Sequence, residues 1–422
     1  MARKKKQPAK PSPASSSIAL DASGALVLGQ PQFAQPTTSA DPTKFSAQNN
    51  DTAFYKKVNT KLLQAVPAPR AGASLTVALE DALGSGGAAA VAAIEKSGQI
   101  VFHSLGDTGS TKGPETQSQV ADKLVLDFTD PAPADRPAFC FHLGDVVYSF
   151  GEARFYYDQF YEPYRSYPAP IFAVAGNHDG LVYTGEGVPS LEAFLRNFAN
   201  AQPVKTPESG GLIRTAMTQP GVYFTLDAPF VTIVGLYSNV LEDPGVISSQ
   251  GQKSSPVDDQ QLPFLLSALQ FAKKKGAATI VVTHHPPFSG GSVHSGSPKM
   301  LADIDAACTK AGFWPHVHLS GHAHNYQRFT RTVNKFEIPY IVCGNGGHNP
   351  LAKIKGTPRV PATVSSDVTL ENYDDSDYGY LRIVANDEQL RIEFHTAPVG
   401  APSKSPSDVV TVDLASHTIV AN

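Results

Sequence analysis

The chain has 422 residues, a formal net charge of -4 and 41% hydrophobic residues. This length and apolar content suffice for one large α/β domain or two smaller ones. The near-neutral charge excludes a general electrostatic bias towards nucleic acid, so we expect no nucleic-acid partner. The three cysteines, Cys140, Cys308 and Cys343, are too widely separated for a disulfide framework or a zinc ribbon.

The first segment, residues 1–45, is predicted to be a disordered tail with a basic start. It is rich in Pro, Ala, Ser and Gln and has few large apolar residues. The basic run at Arg3–Lys6 is similar to the start of an export signal, but no adequate apolar stretch follows it. No later segment reaches the ~18 apolar residues that a membrane span requires. We therefore expect a soluble protein without a recognisable secretory signal, either cytoplasmic or exported by a non-classical route.

Residues 46–98 are predicted to form a helical lead-in to the main domain. Helical periodicity covers Tyr55–Val66 and Ala88–Ile94, with prolines and a Gly-Ser-Gly-Gly turn between them. From residue 99 to 422, short β-branched or aromatic runs alternate with helical stretches, which is typical of an α/β sheet protein. A helix is expected at Leu191–Asn200, followed by extended runs at Gly221–Leu226 and Phe230–Leu236. Two strands are expected within Tyr378–Phe394, and a final hairpin within Val409–Ile419.

Five of the predicted strands end directly before a short motif that contains metal-ligand side chains. These strands are Ile100–Leu105, Ala138–Leu143, Ile171–Ala175, Thr279–Thr283 and His316–Ser320. The side chains that follow them are Asp107, Asp145, Tyr148, Asn177, His284, His322 and His324. In open α/β sheets, ligands bind beyond the carboxyl ends of the strands, so these side chains can converge on one site.

The candidate ligands favour two metal ions of different character. Carboxylate and phenolate oxygens prefer a hard cation such as Fe(III), whereas imidazole and amide oxygen suit Zn, Fe(II) or Mn(II). A phenol binds as an anion only when a strong Lewis acid displaces its proton, which also favours a trivalent ion. Two such metals can hold a nucleophilic hydroxide and the oxygens of a phosphoryl group.

Two further histidines are candidates for the catalytic residues. His178 follows a proposed ligand directly, and we assign it to protonation or charge stabilisation of the leaving group. His294 lies in the Gly- and Ser-rich loop Ser289–Ser297, which could fold over the site. His348 could also approach the site. The histidines within predicted strands, and His285 beside a proline, are expected to be structural. Each motif taken singly would more often be a turn, a cap or a packed side chain.

These motifs resemble those of the purple acid phosphatases, a branch of the calcineurin-like metallophosphoesterases. The resemblance covers about residue 99 to the C-terminus and implies an α/β four-layer sandwich with two central mixed β-sheets. By position, it implies that Fe(III) is bound by Asp107, Tyr148 and His324. It implies that a divalent Fe, Zn or Mn is bound by Asn177, His284 and His322, with Asp145 as the bridge.

Tyr148 distinguishes this branch, and Gly109 stands where most other calcineurin-like relatives have a histidine. The chain is expected to depart from the branch in three ways. Asp179 stands where a glutamate is common, the tail and helical lead-in are expected in place of the N-terminal β-sandwich of plant members, and the export signal typical of the family is not recognisable. The expected function is hydrolysis of small phosphate esters, with monoesters favoured, as in an acid phosphatase. A phosphodiesterase with the same core is the nearest alternative, and a non-catalytic scaffold is the other. The oligomeric state is left open.

Overall fold

The structure is a computed structural model that describes residues 65–129, 132–181, 188–253, 255, 257–398 and 405–420. In these residues the chain forms two β-sheets flanked by helices. The predicted tail, residues 1–45, lies outside the described residues, as does all but the end of the predicted helix Tyr55–Val66. Among the described residues, none of the helices combines the length and the apolarity that crossing a membrane requires.

The smaller sheet has seven strands and combines a parallel half with an antiparallel half. Its strands are β2 (Ile100–Leu105), β3 (Cys140–His142), β4 (Ile171–Ala173), β13 (Gly379–Ala385), β14 (Gln389–Thr396), β15 (Asp408–Asp413) and β16 (Thr418–Ile419). Their order is β16-β15-β14-β13-β2-β3-β4. Strands β2, β3 and β4 run parallel, and all their residues are buried, as expected where both faces of a sheet are covered.

The larger sheet has nine strands and is also mixed. Its strands are β1 (Thr76–Ala78), β5 (Phe224–Ala228), β6 (Val231–Gly235), β7 (Ala278–Val282), β8 (Val317–Ser320), β9 (Tyr326–Val333), β10 (Phe336–Cys343), β11 (Ala362–Ser365) and β12 (Val368–Asp374). Their order is β1-β5-β6-β7-β8-β10-β9-β12-β11. Strands β6, β7 and β8 run parallel, so their carboxyl ends meet at one edge.

The two sheets pack face to face through aromatic side chains. The ring centroids of Phe141 on β3 and Phe224 on β5 are 5.8 Å apart. At the other end of the interface, Tyr326 on β9 stacks on Phe394 on β14 with a centroid distance of 3.9 Å. Each aromatic pair removes a large apolar area from water, and this burial stabilises the contact between the sheets.

Helices cover the sheets and complete the layers. The α-helices are α1 (Leu79–Ala82), α2 (Gly87–Ser97), α3 (Glu115–Leu126), α4 (Asn177–Gly180), α5 (Glu192–Phe198), α6 (Gln261–Lys275) and α7 (Pro298–Ala311). Helices α2 and α3 contact the smaller sheet at β2 and β13, whereas α6 contacts β6 of the larger sheet and packs against α7. Two mixed central sheets with helices confirm the predicted α/β four-layer sandwich.

Most of the strands expected from the sequence are present. Strand β2 has the predicted bounds, and the other four strands that precede a motif begin and end within two residues of prediction. The lead-in differs from expectation because Thr76–Ala78 is a strand that pairs in parallel with β5. This strand has only three residues, all half-buried, and is too short to show the periodicity by which a strand is recognised in sequence.

Candidate metal centre

The candidate ligands lie where the carboxyl ends of β2, β3, β4, β7 and β8 meet. Three of them have a left-handed backbone, with φ values of +56° at Asp107, +55° at Asp145 and +68° at His322. An L-residue rarely adopts this conformation, because its Cβ then crowds the following carbonyl oxygen. Three such residues at one place indicate that the turns after the strands are held in the orientation that aims these side chains inward.

A first group of ligand atoms surrounds the hydroxyl of Tyr148. This hydroxyl donates to Asp145 Oδ2 at 2.9 Å and lies 3.1 Å from Asp107 Oδ1. His324 Nε2 is 3.3 Å from the same hydroxyl and 3.5 Å from Asp107 Oδ1. Two carboxylates, a phenol and an imidazole therefore share one small buried volume.

A second group surrounds the side-chain oxygen of Asn177. His284 Nε2 lies 3.0 Å from Asn177 Oδ1, and His322 Nδ1 lies 3.1 Å from it. His284 Nε2 is also 3.2 Å from Asp145 Oδ2, the same oxygen that accepts from Tyr148 in the first group. All seven residues that the sequence singles out are thus brought together, in two groups that share Asp145.

The charges in this cluster shift the pKa values of its members. Burial and the carboxylates of Asp107 and Asp145 raise the pKa of Tyr148 well above its ordinary value. Burial favours the neutral imidazole of His284, but Asp145 and Asp107 outweigh it and raise the pKa to about 9. Burial also opposes the charge of Asp145, yet His284 and His178 hold its pKa far below the usual range.

The donor set fits metal ions. Asp145, His284 and His322 offer ligand atoms within 4.8 Å of one another, so this group can hold a cation. The first group offers two carboxylates and a phenol, which are hard donors, and the second offers imidazole and amide donors of the kind that divalent transition metals bind. The phenol of Tyr148 can ionise in this anionic surrounding only when a cation replaces its proton.

Two polar side chains hold the loops that carry these ligands. The buried carboxylate of Asp179 accepts from the backbone N–H groups of Val146, Val147 and Gly176 at 2.9 to 3.2 Å. Gln159 accepts from Tyr148 N at 2.8 Å and donates to Tyr148 O at 2.9 Å. The loop after β3 is therefore tied both to the loop after β4 and to the segment around Gln159. Neither role is evident from the sequence.

Gly109 has no room for the histidine that most calcineurin-like relatives have there. A Cβ at this position would lie 2.2 Å from Gln159 Oε1, 2.7 Å from Val146 O and 3.1 Å from the ring of Tyr148. The Tyr148 ring and the segment that supports it therefore fill the space that a larger residue at position 109 would need.

Both candidate catalytic histidines lie beside the ligand groups. His178 Nδ1 lies 2.7 Å from the Ser149 carbonyl oxygen, and its ring is centred 4.3 Å from the Tyr148 ring. Burial lowers the pKa of His178. The ring of His294 is centred 4.2 Å from that of His322 and 5.5 Å from that of His324. His348 also reaches the centre, since its ring stacks on Tyr148 at 3.7 Å.

The histidines expected to be structural are bonded within the protein. Those in or next to the strands contact neighbouring side chains or backbone, namely His103, His142, His316 and His318. His285 uses both ring nitrogens, with Nδ1 2.8 Å from Ser238 Oγ and Nε2 2.6 Å from Leu241 O. These partners leave neither nitrogen of His285 for a metal ion.

Two carboxylates beside the centre were not identified from the sequence. Glu242 Oε2 accepts from Asn177 Nδ2 at 3.2 Å, which turns the amide oxygen of Asn177 towards His284. Asp243 Oδ1 lies 3.7 Å from His322 Nε2. Both residues lie in the loop after β6, a sixth strand whose carboxyl end meets the same edge. They lie seven and eight residues beyond Gly235, too far from the strand end for the strand-end rule to place them.

Two mixed sheets with helices, and histidines and carboxylates at the strand ends, are the arrangement of the metallophosphoesterase fold. The chain belongs to the calcineurin-like phosphoesterase family, whose sequence model matches residues 102–326. A protein of Arabidopsis thaliana named "Probable inactive purple acid phosphatase 9" is 25% identical over 345 residues, which are 73% of this chain and 48% of that protein. The chain spans about half the length of this curated relative, and the match confirms the resemblance to purple acid phosphatases.

Two solved structures share the fold. One is a purple acid phosphatase from yellow lupin (Lupinus luteus) seeds, with a TM-score of 0.50 and 16% identity, covering 75% of this chain and 54% of that chain. The other is GAP50 of Plasmodium, named as the anchor in the inner membrane complex, with a TM-score of 0.51 and 17% identity. It covers 75% of this chain and 89% of that chain. Identity this low shows the fold alone.

Proposed function

We propose that this protein hydrolyses phosphate esters, with monoesters as the favoured substrates, as an acid phosphatase does. The observation that supports this most is the convergence of seven ligand side chains in two groups that share Asp145. Membership of the calcineurin-like phosphoesterase family supports the same class of reaction.

In this proposal, Asp107, Tyr148 and His324 hold Fe(III), and Asn177, His284 and His322 hold a divalent Fe, Zn or Mn ion. Asp145 contributes to both. When bound, the two metals would supply Lewis acidity that activates water and neutralises the charge of the phosphoryl group. The hydrogen bonds of Asp145 Oδ1 and Asp107 Oδ2 to backbone N–H groups, each of 2.8 Å, orient the two carboxylates for this task.

His178 is proposed to protonate the leaving alkoxide or to stabilise its charge. The Ser149 carbonyl oxygen can only accept, so His178 Nδ1 carries a hydrogen and Nε2 is the nitrogen that binds and releases a proton. Burial lowers the pKa of the free imidazole. A phosphate dianion bound nearby would raise that pKa again, since an adjacent negative charge favours the imidazolium.

His294 is proposed to bind the substrate phosphate beside His322 and His324. It is 4% exposed and packs against His322 and His324, one ligand from each proposed metal. A donor in this position could bond to a phosphoryl oxygen and exclude water from the space between the two groups. The loop Ser289–Ser297 carries it there, in line with the expectation that this loop folds over the site.

A non-catalytic scaffold is the second candidate function. The Arabidopsis thaliana relative has the word "inactive" in its name, and the Plasmodium structure is named as an anchor. A scaffold would need the fold but not His178 or His294, whereas a hydrolase needs a proton donor beside its ligands. The position of both histidines at the centre favours the hydrolase.

Metal analysis followed by paired substrates tests the proposal. The purified full chain is analysed for metals by mass spectrometry and for colour by visible absorption, and is then assayed with an aryl phosphate monoester and the matching diester. We expect iron with a second metal, a purple colour, and faster turnover of the monoester at acidic pH. A large preference for the diester would make the protein a phosphodiesterase. If the metal-loaded protein turned over neither substrate, the non-catalytic scaffold would be the remaining candidate function.

A further inference from the structure

A second cluster of metal-ligand side chains lies beside the proposed two-metal centre. It consists of Glu242, Asp243, His294 and His322, and we call it the loop cluster because two of its members lie in the loop after β6. Asp243, His294 and His322 offer ligand atoms within 4.8 Å of one another. His322 belongs to both sites, since its Nδ1 faces Asn177 while its Nε2 faces Asp243.

Two buried imidazole nitrogens point into the loop cluster. Within the part of the chain that the structure describes, neither His294 Nδ1 nor His322 Nε2 has a hydrogen-bond partner. The residues themselves are 4% and 1% exposed, so water does not readily supply one. A buried polar atom without a partner is costly, and such atoms mark positions where an ion or another ligand completes the site.

The distances across the loop cluster are those of ligands around a common ion. His322 Nε2 is 3.7 Å from Asp243 Oδ1, and His294 Nδ1 is 3.8 Å from Glu242 Oε1 and 4.0 Å from Asp243 Oδ2. These separations are too long for hydrogen bonds, which end near ~3.2 Å. Ligands bound at about 2.0 to 2.2 Å from one metal lie about 3 to 4 Å apart.

We propose that the loop cluster binds a third divalent transition-metal ion, held by Asp243, Glu242 and His294, with His322 as a ligand shared with the neighbouring site. To bind both ions, His322 releases its remaining ring proton to solvent and bridges them as an imidazolate. Imidazole with carboxylate is the donor set of Zn²⁺, Mn²⁺ and Fe²⁺. The binding of an ion at His294 Nδ1 leaves the hydrogen on Nε2. The ring is thereby fixed in the tautomer that can donate to a phosphoryl oxygen.

The third ion would remove an electrostatic conflict at the substrate side of the centre. Glu242 is 3% exposed and accepts from the amide of Asn177, so its carboxylate adjoins the space where the proposed function requires a phosphate anion. Asp243 adds a second carboxylate there. Two negative groups beside an anion site oppose binding, and a divalent cation between them offsets that charge.

Zinc stoichiometry tests this proposal without relying on turnover. The full chain is stripped with a chelator, titrated with Zn²⁺ by calorimetry, desalted, and analysed for bound zinc. We expect three equivalents for the wild type and two for Asp243→Asn and for Glu242→Gln. The control Asp387→Asn removes an exposed carboxylate at the β13–β14 turn and should still bind three. Circular dichroism checks that each variant is folded, and His294→Gln gives an independent ligand variant.

The possible outcomes separate this site from the proposed two-metal centre. A wild type that saturates at two equivalents overturns the third site, even if Asp243→Asn weakens binding, since Asp243 then only orients His322. Three equivalents retained in Asp243→Asn, Glu242→Gln and His294→Gln also overturn it. A single equivalent that Asp243→Asn abolishes would support the loop cluster and refute the two-metal centre instead.

Discussion

Asp179 offers the sharpest test of how this protein holds its ligands in place. Its two carboxylate oxygens accept from Val146 N at 3.0 and 3.2 Å, from Val147 N at 3.2 Å and from Gly176 N at 2.9 Å. In Asp179→Asn, one oxygen becomes an NH₂ group that faces a backbone N–H. At least one buried donor then loses its acceptor, which costs about 1–3 kcal/mol, and the remaining bonds lose their charge assistance.

Removing the negative charge of Asp179 offsets part of this cost. Burial and the neighbouring charge of Asp145 raise the pKa of Asp179 to about 7, so a neutral side chain relieves some repulsion at pH 8. We therefore expect Asp179→Asn to lower the free energy of unfolding of the metal-free protein by about 2 kcal/mol. We also expect it to reduce bound metal, because the loops after β3 and β4 carry Asp145, Tyr148 and Asn177.

Urea unfolding at pH 8 with a chelator measures the first effect, and metal analysis of the reconstituted protein measures the second. The control Asp408→Asn removes a carboxylate that accepts from Arg328 and Tyr326, away from the metal centre. It should reduce stability while leaving metal content unchanged. If Asp179→Asn kept its full metal content and affinity while losing stability like the control, the idea that this carboxylate aligns the ligand loops would be wrong.

Three further predictions concern the centre itself. Tyr148→Phe should remove the tyrosinate-to-iron absorption and lower the iron content, and an unchanged visible spectrum would show that the phenolate assignment is wrong. His178→Asn should lower kcat about 10²–10⁴-fold with metals retained, and an unaltered kcat in steady-state assays would remove His178 from the proton transfer. In the metal-free protein, the pKa of His284 is raised from 6.5 to about 9, so its pairing with Asp145 stabilises the fold fully below pH 6.5. That stability should be lost as the pH rises through 9. A urea midpoint that stays constant from pH 6.5 to pH 9 would contradict this prediction, and so would an equal decrease in His284→Gln.

The strand-end residues could be predicted because the backbone positions them directly. Asp107 and His322 come two residues after a buried strand and Asp145 comes three residues after one, so recognising the strand is enough to place the side chain. Strand β1 and the acidic loop could not be found in this way. The strand is three half-buried residues, and Glu242 and Asp243 lie seven and eight residues beyond the end of β6. Their positions depend on the path of a loop, which tertiary contacts determine and local periodicity does not encode.

The energetic cost of the buried ligand side chains distinguishes a protein that binds metal from one that only keeps the fold. Two buried carboxylates that face each other across one phenol are unfavourable in the absence of a cation, and the left-handed backbone at three ligand residues adds strain. A protein that used only the outer surface of this fold would gain stability by replacing them with apolar residues. Bound cations reverse the sign of the electrostatic contribution, because the carboxylates then surround positive charge. The proposed metal binding accounts for the arrangement of Asp107, Asp145 and Tyr148. The proposed hydrolysis assigns the adjacent His178 to proton transfer and His294 to phosphate binding.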